Sequence, residues 1–222
     1  MVKENYFTPG NIRSVAMKMM ADLRKSNKKQ VMRFVPEVSA LLVIDMQGYF
    51  LDPNSHAFLP SAKAIIPNVK NLINVFCGKR PIIFTQHINT QQNAKMLRKW
   101  WDDIITTDND YYKLSSELYF SGAPVVVKTQ YDAFYRTKLN ELLHKHQVKQ
   151  IIITGVMANL CCETTARSAF IHGFEVFFVI DGTATVSRAM HKATLLNLSY
   201  GFAIPVLTQD IIKKLRKECQ NV

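Results

Sequence analysis

Six short runs of apolar residues recur along the chain: residues 40–44 (ALLVI), 81–84 (PIIF), 125–127 (VVV), 151–153 (III), 176–180 (VFFVI) and 203–207 (AIPVL). Each is continuous rather than alternating, which marks a parallel strand covered on both faces. Between them the apolar positions recur at steps of three and four. After Ser61, a candidate N-cap, they are Ile65, Ile66, Val69, Leu72, Ile73 and Phe76; after the third run, Phe134, Leu139, Leu142 and Leu143; after Cys161, the stripe Cys162, Thr165, Ala166, Ala169, Phe170. These segments predict helices packed on a sheet, with two more following Ser187 and spanning about 209–218. Alternation of this kind specifies a three-layer α/β/α sandwich around a six-stranded parallel sheet, with Pro205 placing the last strand at an edge. Ahead of Pro36, residues 12–29 form a further helix whose Val15, Met19 and Leu23 make a stripe. The predicted organisation is therefore an N-terminal helical arm, 1–36, and one α/β domain, 37–222.

In parallel sheets of this type ligands bind beyond the carboxyl ends of the strands. Asp45, Gln86, His87, Lys128 and Cys161 all stand at or just past such ends, which gathers an acid, an ammonium and a thiol at one rim. Cys161 falls off the packing stripe of its predicted helix and lies near the first turn, where free N–H groups and the helix dipole favour a thiolate. It is the candidate nucleophile, and Cys162 the packing residue; the alternative is that both are small buried hydrophobes. Asp45 is a candidate base, with Lys128 as the cation that lowers the thiol pKa. The same pair can equally be a buried structural ion pair. The stretches 46–60 and 90–121, rich in Tyr, Phe and Trp, are long enough to line a pocket or form a lid. Glu163 and Arg167, spaced i, i+4, suit a helix-surface ion pair, and Asp181 a turn cap.

Composition narrows the class. The 222 residues are 48% hydrophobic, enough for a well-buried core. Four cysteines, Cys77, Cys161, Cys162 and Cys219, lack zinc-site spacing and disulfide-scaffold density, which fits a reducing, cytoplasmic setting. No stretch reads as a signal peptide or a membrane span. The net charge of +11 is spread over both ends of the chain, in Lys25, Lys28, Lys29, Arg33, Lys213, Lys214, Arg216 and Lys217, without an aromatic-interleaved groove. Nucleic acid and membrane are therefore not expected partners, whereas a small anionic substrate would be drawn in by the field.

Three phrases, LLVIDMQGYF, VVVKTQYDAFYRT and ITGVMANLCCETTARSAF, in that order, resemble the signature segments of the isochorismatase-like cysteine hydrolase superfamily, over about 40–207. The resemblance implies that family's Rossmann-like fold and an Asp45–Lys128–Cys161 triad. It further implies a cis peptide between Val156 and Met157, and an oxyanion hole from the N–H groups of Met157 and Cys161. The implied reaction is hydrolysis of a small amide or ureido C–N bond through a thioester, without a cofactor. Gln86, His87, Trp100, Tyr131 and Phe134 are the candidate substrate-binding residues. The Asp-x-His metal site of nicotinamidases is replaced here by Thr85-Gln86-His87-Ile88, and no metal is expected; Asp52 and His56 offer only an unrelated pair. Isochorismatases share the long arm, the Lys-x-x-Tyr-x-Ala-Phe phrase and a Trp in the lid region, for which Trp100 or Trp101 is a candidate, but carry glycine at the position of Cys161. Two alternatives accordingly stand: vinyl-ether cleavage with Asp45 as acid, and a non-catalytic oligomeric binding or redox module. Members of the superfamily commonly form homodimers or homotetramers, and the arm and aromatic lid suit such an assembly.

Overall fold

The computed structural model describes residues 2–26, 32–101 and 103–218. Lys28, Lys29 and Cys219 lie outside them. In chain order the elements are α1 (Ile12–Ser26), β1 (Ser39–Ile44), α2 (Gly48–Leu51), α3 (Ala62–Phe76), β2 (Ile82–His87), α4 (Met96–Trp100), β3 (Val125–Lys128), α5 (Leu139–Lys145), β4 (Gln150–Val156), a π-helical turn (Ala158–Cys162), α6 (Glu163–Ile171), β5 (Glu175–Ala184), α7 (Arg188–Gly201), β6 (Ile204–Val206) and α8 (Thr208–Glu218). The strands form one parallel sheet in the order β3-β2-β1-β4-β5-β6.

Every residue of β1 and β4 is buried, which is why their sequences run apolar without alternation. Helices α3 and α8 pack together over one face of the sheet, while α6 and α7 pack together over the other. Pro205 lies in edge strand β6, where the missing N–H costs no ladder bond. Tyr6, Phe7, Ala16, Met19, Met20 and Leu23 of the N-terminal segment join the same buried cluster as the strands. No described helix is long and apolar enough to cross a membrane.

Several boundaries differ from the sequence expectation. Strand β2 continues through Thr85, Gln86 and His87, and β5 runs on to Ala184, because neighbouring strands supply partners for these more polar residues. Ser61 does precede α3, but its side chain does not cap it. The hydroxyl instead donates to the carbonyl of Glu4 (3.0 Å) and accepts the N–H of Phe7 (3.1 Å). Phe134 sits ahead of α5, stacked between His172 and Phe174.

The sheet order makes β1 and β4 neighbours whose following segments leave in opposite directions, so a crevice opens past Ile44 and Gly155, which are paired in register. Gly155 has φ +110°, and a Cβ there would collide with the carbonyl of Ile44. Glycine thus lets β4 approach the backbone immediately before Asp45. Gly155→Ala is expected to lower stability by roughly 3 kcal/mol or more, read as a fall in the urea midpoint at unchanged slope.

Candidate active site

Asp45 follows the last residue of β1 in a left-handed conformation, φ +48°, which an aspartate tolerates better than most side chains. The bend turns its carboxylate into the crevice. Thr85 fixes it from β2: the Asp45 N–H donates to Thr85 Oγ1 (3.1 Å), whose hydroxyl donates to Asp45 Oδ1 (2.6 Å). Oδ2 lies 2.8 Å from Lys128 Nζ, and both side chains are fully buried. Beyond Lys128, the Cys161 thiol also bears on this carboxylate.

Lys128 ends β3 and crosses under β2 to reach this point. Its three N–H groups are shared between Asp45 and three further acceptors, the carbonyl of Gln130 (3.0 Å), His87 Nδ1 (3.2 Å) and Cys161 Sγ (3.3 Å). Ligand atoms of Asp45, His87 and Cys161 lie within 4.8 Å of one another, close enough to hold a metal ion. The cation they surround is the ammonium of Lys128.

His87 is clamped by Gln47, which accepts its N–H (2.8 Å) and donates to its carbonyl (3.0 Å). With Nδ1 accepting from Lys128, Nε2 carries the proton and donates to Asn89 Oδ1 (2.8 Å). Burial, reinforced by the Lys128 ammonium, holds the imidazole down to about 4, so it is neutral at physiological pH.

Cys161 lies in the π turn between β4 and α6, two residues before the start of that helix, and Cys162 is fully buried beside it. The Val156–Met157 peptide bond that leads into the turn is cis. The expected low-pKa thiol is not what the structure shows. Burial pushes the Cys161 thiol up to about 12; the Lys128 ammonium opposes this, but the charge of Asp45 adds to it. With 5% of its surface exposed, the sulfur gains too little from one cation shared with a carboxylate. Burial also opposes charge on Asp45 and Lys128, yet each holds the other ionised: the carboxyl is below its usual value and the ammonium above. The resting state is thiol, carboxylate and ammonium.

A cavity of about 270 Å³ opens onto Cys161. Phe50, Leu59, Leu97, Ile105, Trp101 and Leu160 give it apolar walls, and His87, Tyr131 and Met157 also face it. Gln86, Trp100 and Phe134, three of the five substrate-binding candidates, do not. The Gln86 amide donates to the Tyr112 carbonyl, Trp100 is 75% exposed to solvent, and Phe134 belongs to its ring stack. Of the two lid tryptophans it is Trp101 that lines the cavity, and it donates from Nε1 to the Tyr131 hydroxyl (2.7 Å). Of the 46–60 loop, Tyr49, Phe50 and His56 line the cavity; Asp52 accepts instead from Asn54 N–H. His56 faces Tyr49 and Asp103. Glu163 pairs with Arg167 (2.7 Å), and Asp181 accepts from Thr208 N–H at the start of α8. Lys3 lines the cavity too and donates to the His56 carbonyl, a contact that no local pattern in the sequence announces.

Residues 39–210 match the family model described as the isochorismatase domain. The chain is 42% identical over 174 residues to nicotinamidase 3 of Arabidopsis thaliana, covering 75% of this chain and 83% of that protein. It is 30% identical over 184 residues to enterobactin synthase component B of Escherichia coli K12, covering 81% of this chain and 64% of that longer protein. Among solved structures, a cysteine hydrolase from Pseudomonas syringae pv. phaseolicola superposes with a TM-score of 0.78 at 24% identity, over 86% of this chain and 99% of that one. A zinc complex of pyrazinamidase from Pyrococcus horikoshii gives 0.69 at 24%, over 77% and 99%, and shows a shared fold.

Removing Lys128 leaves a buried, unpaired carboxylate. Lys128→Met is expected to cost about 3–5 kcal/mol in urea unfolding at pH 7, and Asp45→Asn a comparable amount. The double variant should recover part of the loss, because no lone charge remains.

Proposed function

The chain belongs to the isochorismatase family and is a hydrolase of that family, and we propose that it hydrolyses a small, flat amide with Cys161 as nucleophile, Asp45 as proton carrier and Lys128 as the fixed cation between them. The observation that carries the reading is the shared ammonium. One cation touches the carboxylate at 2.8 Å and the sulfur at 3.3 Å, at the floor of a cavity open to substrate.

The chemistry follows from the resting charges. As the sulfur attacks the amide carbon, its proton passes to Asp45 Oδ2, so thiolate character develops only while the S–C bond forms. The N–H groups of Met157 and Cys161 receive the developing oxyanion. Collapse of the tetrahedral intermediate breaks the C–N bond, and Asp45 gives its proton to the departing amine. Water then loses a proton to Asp45 and attacks the thioester; the acid departs and the sulfur takes the proton back. The balance is amide plus water to carboxylic acid plus ammonia.

The cavity suits a substrate about one ring in size, with Phe50, Leu59, Trp101 and Leu160 against its faces. Nicotinamide is the first compound to try, given the similarity to nicotinamidase 3. The ionised state of Asp45 favours this reading over vinyl-ether cleavage, which asks that carboxyl to start as an acid.

Cys161→Ala and Asp45→Asn are each expected to lower kcat for nicotinamide on the order of 10³-fold or more, measured as ammonia release. Isochorismate hydrolysis surviving in Cys161→Ala but not in Asp45→Asn would establish the vinyl-ether reaction instead.

The pH profile is a separate check. Activity needs a neutral His87 beside Lys128 and an ionised Asp45. On acidification His87 gains its proton at about 4 and places a second cation against the ammonium. kcat/KM should therefore stay level through neutrality and fall near that pH. In His87→Gln the limb should move lower, to the depressed carboxyl of Asp45.

A further inference from the structure

Residues 3–7 form a strap that crosses the carboxyl edge of the sheet and is tied down along its length. The Glu4 N–H donates to the Val186 carbonyl (2.8 Å), Glu4 Oε2 accepts from Arg188 N–H (2.9 Å), and Ser61 holds both the Glu4 carbonyl and the Phe7 N–H. Phe7 is fully buried and Tyr6 nearly so. Lys3, at one end, forms part of the wall of the catalytic cavity.

From Tyr6 a hydrogen-bond network leads to the turn that carries the sulfur. The Tyr6 hydroxyl is 3.0 Å from His191 Nδ1 and accepts the Thr185 N–H at 3.0 Å. His191 Nε2 is 3.1 Å from Thr183 Oγ1, and the Thr183 hydroxyl donates to the Val179 carbonyl (2.9 Å). Thr185 in turn donates its hydroxyl to Asn159 Oδ1. These bonds admit one proton arrangement. Thr183 has spent its proton on Val179, so it accepts from His191 Nε2–H. Nδ1 is then an acceptor, and Tyr6 donates to it while its oxygen receives the Thr185 N–H. His191 is fully buried, its pKa held down to about 3 by burial, and the arrangement persists across the working pH range.

The network brings together residues 185 positions apart in sequence, from the amino end to α7. It reaches Asn159, two residues from Cys161 in the same π turn; the Asn159 amide also donates to Met190 Sδ of α7 (3.6 Å). Thr183 lies opposite Gly155, and Ala184 opposite Val156, so the anchoring strand is the one that flanks the entry to that turn. We propose that Tyr6 is a positioning residue for the nucleophile: through Thr185, and with His191 and Thr183 fixing its hydroxyl, it holds Asn159 and sets where Cys161 Sγ stands between Lys128 and Asp45. The proposal rests on the reading of Cys161 as nucleophile.

The test uses the full-length chain with Tyr6→Phe, Thr185→Val, Asn159→Ala and the Tyr6→Phe/Asn159→Ala pair. Ile212→Ala, in the core of remote α8, is the control for general loss of stability. Tyr6→Phe keeps the ring packing and removes only the oxygen; Thr185→Val keeps the backbone bond to Tyr6 and severs the last link, and carries the test if Tyr6→Phe does not fold. Two readouts are taken: kcat and KM for nicotinamide, and the pH dependence of Cys161 alkylation by iodoacetamide, located by fragment mass spectrometry. The expected result is a fall in kcat of roughly tenfold to a hundredfold with KM changed about twofold or less, and a displaced alkylation profile. The double variant should be no worse than Asn159→Ala alone, since both act on one link.

Kinetics and an alkylation profile matching Ile212→Ala at equal loss of Tm would reduce the network to a structural role and overturn the proposal. Multiplying effects in the double variant would overturn it as well. Should wild type leave nicotinamide untouched, or Cys161→Ala stay active, the functional reading fails by itself; the alkylation profiles still decide whether the strap positions the turn.

Discussion

A single buried ammonium organises this molecule. Lys128 has no water to solvate it, so the fold must bring it a carboxylate, an imidazole nitrogen, a carbonyl and a sulfur from separate strand ends. Burying a charged lysine without such partners would cost several kcal/mol, a large share of what a domain is stable by. Each partner is itself positioned: Asp45 by Thr85, His87 by Gln47 and Asn89, and Cys161 by the turn after β4. The parallel order, with β1 between β2 and β4, lets these groups meet from alternate sides of one crevice. Stability and the proposed chemistry draw on the same contacts, as the buried ion pair and the Cys161 sulfur share one cation.

The sheet was legible because burial on both faces leaves an unmistakable trace. No polar residue interrupts Ala40 to Ile44 or Ile151 to Ile153, and such runs read directly as central parallel strands. Asp45, Lys128 and Cys161 were legible for a related reason, since charge and thiol stand at the points where the apolar runs stop. Pocket walls leave no such trace. Trp100 and Trp101 are adjacent in sequence, and only the turn of α4 decides which one faces the cavity and which faces solvent. Gln86 alternates with His87 along β2, so one points into the site and the other away. Ser61 looks like a cap by position, but a distant strap claims its hydroxyl. Contacts between residues far apart in sequence, like that of Lys3 with His56, carry no local pattern to read.

The thiol pKa departs from the sequence expectation for a more general reason. A cysteine near a helix start beside a lysine suggests a thiolate, and the argument holds when the cation's charge is free to act on the sulfur. Here the lysine is already committed to Asp45, and burial penalises any further charge. Net charge, not the presence of a cation, decides the protonation state: one ammonium and two potential anions leave one anion too many, and the carboxylate, the stronger acid, keeps the charge.

In the reaction proposed above, that ordering has a consequence. A standing thiolate would be open to alkylation and oxidation whenever the cavity is empty, because reactivity follows thiolate fraction and exposure. A thiol that yields its proton only as an amide carbonyl arrives confines nucleophilicity to the moment of use. In that proposed mechanism the carboxylate serves as proton carrier in both half-reactions because its own state is fixed by the lysine rather than by solvent. Positioning then matters more than acidity: the sulfur must stand within reach of Oδ2 and of the substrate carbon together. The turn carrying Cys161 is braced by a glycine that lets β4 approach Ile44 and by Thr185, one residue past β5, whose hydroxyl holds Asn159.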